Sequence, residues 1–197
     1  MNLDQINCRN RNQPMNANIQ SRGILFFVIP LWLSISMLNA SDAPALAKPL
    51  EPLRPFIDKS WKGHFKNSTP EKPVVDVSRW ERAINGQAVR ILHSINDGVY
   101  GGETIIMWNP KTERLEFHYF TTAGFQTHGT ITIEETKLIT HEDVVGNQDG
   151  VTEVRATTEL LPDGKMRVQS RYLKKGEWVD GRDATYELAP RAEVVFK

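Results

Sequence analysis

The chain has 197 residues, with 24 basic and 24 acidic side chains and a formal net charge of zero. That balance excludes the basic excess a nucleic-acid binder would carry, and the length suits about one domain. Cys8 is the only cysteine, which excludes an intrachain disulfide or a cysteine metal site.

Gly23 to Leu38 is an uncharged apolar run, preceded by Arg9, Arg11 and Arg22 and followed by Asn39-Ala40-Ser41 and Ala45-Leu46-Ala47. This layout predicts a secretory signal over residues 1–41, cleaved at Ala40 or at Ala47, with Met15 as an alternative start. The alternative, a membrane anchor, meets a run shorter than the ~20 residues that span a bilayer, interrupted by Pro30. The expected location is secreted or periplasmic, with no stable membrane insertion after cleavage. Without residues 1–41 the chain has no cysteine, so packing alone must hold it in an oxidising compartment.

Residues 42–57 read as a proline-rich linker in which Leu50, Leu53, Phe56 and Ile57 form a short helical turn. Residues 58–197 read as strands. Ser60 to Phe65 is the first, and Gly101-Gly102 is taken as a turn or bulge before the fourth. Val74 to Ile95 forms a hairpin around Asn85-Gly86, because a type I′ turn needs positive φ at both central positions. A two-residue turn pairs Ile84 with Gln87, Arg82 with Val89, Trp80 with Ile91 and Ser78 with His93. The face carrying Trp80, Ile84, Val89 and Ile91 is core, and Ala83, Ala88, Glu81 and Arg90 face solvent. Further strands span Glu103–Trp108, Arg114–Phe120, Phe125–Ile133, Lys137–Val145, Val151–Leu160, Met166–Leu173 and Trp178–Leu188, with Ala192–Phe196 as a further edge. Ten strands joined by short turns expose two edges unless the sheet closes. The expected fold is therefore all-β, a single antiparallel up-and-down β-barrel.

The entry stretch Ile57-Asp58-Lys59-Ser60-Trp61-Lys62-Gly63 and the meander over residues 50–197 resemble the calycin group of lipocalins, fatty-acid-binding proteins and nitrobindins. Lipocalins place glycine two residues before this tryptophan, where Lys59 stands here, so the fatty-acid-binding and nitrobindin-like arrangement is the nearer one. Trp80-Glu81-Arg82, Tyr100-Gly101-Gly102-Glu103 and Thr121-Thr122-Ala123-Gly124-Phe125 resemble an uncharacterised family of bacterial secreted proteins. The resemblance implies a barrel and no particular activity. Nitrobindins take their haem histidine late in the barrel, and no histidine follows His141.

None of His64, His93, His118, His128 and His141 has metal-ligand spacing, and no nucleophile elbow, phosphate loop or carboxylate pair occurs. No metal and no cofactor are expected. The hairpin register turns His93 inward, opposite Ser78, where it reads as a core histidine bonded to that serine or as a site residue. His118 faces solvent. His128 pairs with Phe117 across a four-residue turn, or takes the opposite face if Gly124 forms a bulge. Arg82 lies inward and needs a carboxylate, an anionic ligand group or a place at the rim. The expected function is binding of a small apolar or amphipathic molecule in the barrel. Arg82, His93 and Tyr119 would orient its polar end, and Trp80, Ile91 and Phe117 would form the wall. The alternatives are an enzyme with His93 as acid–base group and a filled barrel with a structural role. The sequence leaves the oligomeric state open.

Overall fold

A computed structural model describes residues 44–197. The expected export signal and Cys8 lie outside the described residues. Ten strands follow in order: β1 (Lys59–Phe65), β2 (Val75–Ala83), β3 (Ala88–Ile95), β4 (Tyr100–Asn109), β5 (Arg114–Thr121), β6 (Gln126–Glu134), β7 (Lys137–Val145), β8 (Val151–Leu160), β9 (Met166–Lys174) and β10 (Glu177–Leu188). Each pairs antiparallel with its neighbour in sequence, and β1 pairs with β10 to close the barrel.

One end is covered by a 3₁₀ segment, Lys48–Phe56. Pro49, Pro52 and Pro55 recur every third residue, fixing φ and removing N–H groups that an α-helix would need. Leu50, Leu53 and Phe56 share that three-residue period, so a 3₁₀ turn stacks them on one face. That face is buried, Leu50 and Leu53 completely, each burial worth about 1.5–3 kcal/mol. Phe56 stacks on Trp80 with ring centroids 5.2 Å apart, and its carbonyl accepts from Trp61 Nε1 at 3.3 Å. The apolar core continues beneath through Val89, Ile106, Leu115, Ile131, Leu138 and Met166.

The β2–β3 register is the one expected, with Trp80 opposite Ile91 and Ser78 opposite His93. Asn85 (φ 52°) and Gly86 (φ 82°) take left-handed conformations, and Gln87 N–H donates to the Ile84 carbonyl at 3.0 Å. Ile84 also turns left-handed (φ 48°), so the ladder ends at Ala83–Ala88 and Ile84 leaves the alternation. It is 60% exposed, a correction to its expected core place. Two further corrections concern the strands. Gly101 and Gly102 lie within β4, and residues 189–197 form no strand; Val195 N–H instead donates to Ser94 Oγ at 3.0 Å.

Candidate functional site

The interior is divided along its length. Beneath the 3₁₀ segment it is apolar, and toward the opposite end it is polar. Asp76 begins β2, His93 nears the end of β3, Tyr100 begins β4 and Tyr119 nears the end of β5. These positions adjoin the turns at the end opposite the 3₁₀ segment.

Asp76 is fully buried and is the hub. It lies 3.0 Å from His93 Nδ1, accepts from Tyr186 Oη at 2.6 Å, and faces Arg182 Nη1 at 3.5 Å. Burial alone would push its carboxyl upward. The His93 hydrogen bond, the charges of Arg182 and His93, and the Tyr186 hydroxyl outweigh burial and hold it below the usual aspartate range. On the other side of the imidazole, Nε2 lies 2.7 Å from Tyr119 Oη, which lies 3.1 Å from Tyr100 Oη. Burial raises the pKa of all three tyrosines, Tyr100, Tyr119 and Tyr186, so they serve as neutral hydrogen-bonding groups. Burial opposes the charge of Arg182, but Tyr186 and Asp76 more than compensate and hold its pKa above the ordinary one.

Two glycines make this geometry possible. Tyr186 on β10 crosses β1 at Gly63 to reach Asp76 on β2; a Cβ on Gly63 would sit 2.5 Å from the Tyr186 ring. Tyr119 on β5 crosses β4 at Gly102 to reach His93 on β3; a Cβ there would sit 2.4 Å from the Tyr119 ring. Each tyrosine thus leans over an intervening strand that carries no side chain at the crossing.

Arg182 owes its place to a bulge. The β9–β10 register shifts between Asp180 and Asp183, which brings Arg182 into phase with the inward Ala184 and Tyr186. Gly181 cannot carry a side chain, since a Cβ would lie 2.6 Å from Ser170 Oγ and from the Tyr172 ring. Glu142 on β7 also faces inward and accepts from the Thr127 hydroxyl. Burial pushes its carboxyl upward, partly offset by that hydroxyl and by Arg182.

Of the expected site residues, His93 and Tyr119 meet directly, and Ile91 and Phe117 pack with the interior cluster. Trp80 is buried beneath Phe56; its indole Nε1 is buried without a hydrogen-bond partner. Arg82 stands at the covered end, paired with Asp58 and donating to the Pro44 carbonyl at 3.1 Å. The arginine among the polar groups is Arg182. Asp76, Tyr100, Arg182 and Glu142 were not singled out as site residues by sequence. His93 bonds Asp76 rather than Ser78, because the diagonal carboxylate offers a charge-assisted bond that a hydroxyl does not.

The two interior walls differ. Ser78, Trp80, Val89, Ile106, Leu115 and Phe117 on β2–β5 are buried. The inward Val154, Ala156, Thr158, Val168, Ser170 and Tyr172 on β8 and β9 are only half-buried, so that wall is less closely covered than the other. Outside, a groove of about 310 Å³ is lined by His118, His128, His141 and Asp143, and one of about 870 Å³ crosses β7–β10 by Arg155 and Arg171. His128 pairs with His118, not Phe117, and both are exposed. Among the described residues, no three His, Cys, Asp or Glu side chains are placed to hold a metal. Glu142 borders the first groove and Ser170 and Arg182 border the second, but nearly all the side chains along both are exposed or half-buried.

No family model matches the chain, and no curated protein sequence matches it. Among solved structures it is similar to the crystal structure of Rv2717c from M. tuberculosis. That match has a TM-score of 0.51 and 14% identity, and it covers 75% of this chain and 99% of that one. The likeness is one of fold.

Proposed function

We propose that the protein is an exported, calycin-like β-barrel that binds one small amphipathic molecule in its interior. The observation that carries this reading is the contrast between the packed β2–β5 wall and the half-buried side chains of β8 and β9. Ile91, Phe117, Val154 and Val168 form an apolar enclosure, and Tyr100 and Arg182 face the ligand's polar end, with Tyr119 and His93 behind Tyr100. The Tyr172 hydroxyl has no hydrogen-bond partner among the described residues, and that of Tyr100 has only Tyr119.

The test is native mass spectrometry of protein exported by its own host, with displacement of an apolar fluorescent probe. Ala156→Trp places a bulky ring on the inward face of β8 and should abolish probe binding while the barrel stays folded. Undiminished binding by a folded Ala156→Trp variant would remove the ligand from the interior. The Asp76–His93 pair favours a second reading, catalysis with His93 as acid–base group. A ligand that leaves the protein chemically altered, but leaves His93→Gln unaltered, would support it.

A further inference from the structure

One buried charge dictates the direction of every hydrogen bond along the interior line. Asp76 faces the donors of Tyr186 and Arg182 and is ionised, so it accepts, and Nδ1 of His93 carries a hydrogen. A neutral ring then has only a lone pair at Nε2, so the Tyr119 hydroxyl, 2.7 Å away, donates to it. Tyr119 has no second hydrogen to give. The Tyr119 and Tyr100 hydroxyls lie 3.1 Å apart and either can supply the hydrogen between them; with the Tyr119 hydrogen committed to Nε2, Tyr100 supplies it and turns an accepting lone pair to the interior. If Tyr100 gave its hydrogen to a ligand instead, the buried Tyr119 oxygen would lose its donor. Protonation of His93 reverses the line. Nε2–H donates to Tyr119, Tyr119 donates to Tyr100, and the Tyr100 hydrogen is released toward the interior.

We propose that Asp76, His93, Tyr119 and Tyr100 select the ligand by the polarity of its polar end. The site takes a hydroxyl-bearing apolar molecule while His93 is neutral, and gains affinity for an acceptor-ended one, a ketone or ester, when His93 is charged. This rests on the interior-binding reading and names its ligand class. The charged and titratable groups around His93 are Asp76 on β2, Tyr100 on β4, Tyr119 on β5, Glu142 on β7, Tyr172 on β9, and Arg182 and Tyr186 on β10. Glu142, raised by burial, is the other carboxyl that can change charge within the barrel.

The experiment is calorimetric titration with decanol and with the methyl ketone of the same carbon count. It runs from about pH 5 to about pH 8, where histidine as a class changes charge, and nitrogen NMR follows His93 in the same samples. Ketone affinity should rise about tenfold as His93 protonates, the size of one hydrogen bond gained. Decanol, which can donate or accept, should change little. The ketone response should track the His93 midpoint, vanish in Tyr100→Phe and persist in Glu142→Gln. Equal responses of the two probes, a response surviving in Tyr100→Phe, or one lost in Glu142→Gln would overturn the polarity inference and leave interior binding standing. Failure of both probes to bind at any pH would overturn both.

Discussion

Asp76→Asn tests the hub of the interior. The carboxylate offers Oδ1 to His93 and Oδ2 to Tyr186 and Arg182, whereas an amide has one accepting oxygen. The favourable orientation turns that oxygen to Tyr186 and Arg182 and the amide N–H to His93, whose ring must then accept at Nδ1 and carry its hydrogen at Nε2. The bond from Tyr186 survives without charge assistance, a loss of about 1 kcal/mol. Arg182 loses its counter-charge, about 1–2 kcal/mol after discounting for a side chain one quarter exposed and 3.5 Å away. The total of about 2–3 kcal/mol lowers the melting temperature by about 4–12 °C in a domain of this size. The folded-state pKa of Asp76 is depressed. Its contribution is therefore present above the ordinary aspartate value of about 3.9 and is lost as pH falls through the folded value. The gap between wild type and variant should narrow below about pH 4. Thermal unfolding by circular dichroism at neutral and acid pH measures the gap, and nitrogen NMR reads the His93 tautomer. A gap of equal size at both pH values, or a wild-type tautomer in the variant, would refute the reasoning.

Glu142 has the opposite sign: its raised pKa gives stability below the ordinary glutamate value that is lost as pH rises through the folded one. Glu142→Gln should therefore raise the melting temperature at neutral pH and change little near pH 4; a larger gain in acid counts against the placement. Gly63→Ala drives a methyl into the Tyr186 ring and should cost about 1–3 kcal/mol by denaturant unfolding, with Tyr186 displaced from Asp76. Leu53→Ala opens a cavity under the 3₁₀ segment and should cost about 2–5 kcal/mol by the same assay; a loss below half a kcal/mol would show the segment to be loosely held. Intact mass of the exported protein should lack the leading forty-odd residues; an intact leader in the membrane fraction would mean an anchored protein.

The hairpin was legible because Asn85-Gly86 fixes a register, and a register fixes facing for every residue along both strands. His93 follows from it, and so does Asp76, which shares the parity of Ser78 and Trp80. Their bond was not legible, because Ser78 stands directly opposite His93 while the real bond runs on the diagonal. Ile84 escaped because its left-handed backbone obeys the turn and not the strand. Arg182 was hidden by a conflict between two readings of β10. Counting back from Tyr186 places it inside, whereas counting from the Lys175-Gly176 turn places it outside. That disagreement is itself the mark of a bulge, and Gly181 is where it falls. The roles of Gly63 and Gly102 were not legible, because a crossing involves three strands and alternation along a strand reports only on two faces.

The pairing of β1 with β10 bears on how the chain folds. Every other ladder joins strands adjacent in sequence and forms by local zipping, while this one unites Trp61–Phe65 with Ala184–Leu188. The entropic cost of closing the chain into a loop falls almost wholly on that single step. Until it occurs, a curled sheet with two unsatisfied borders persists, open to pairing with another chain. The Tyr186 hydroxyl reaches Asp76 across 110 residues of sequence, and it can do so only once the ring is shut. The contacts of Tyr186 and Arg182 with Asp76 are therefore made last, and a protein caught before closure would have the line from Asp76 to Tyr100 without its partners on β10.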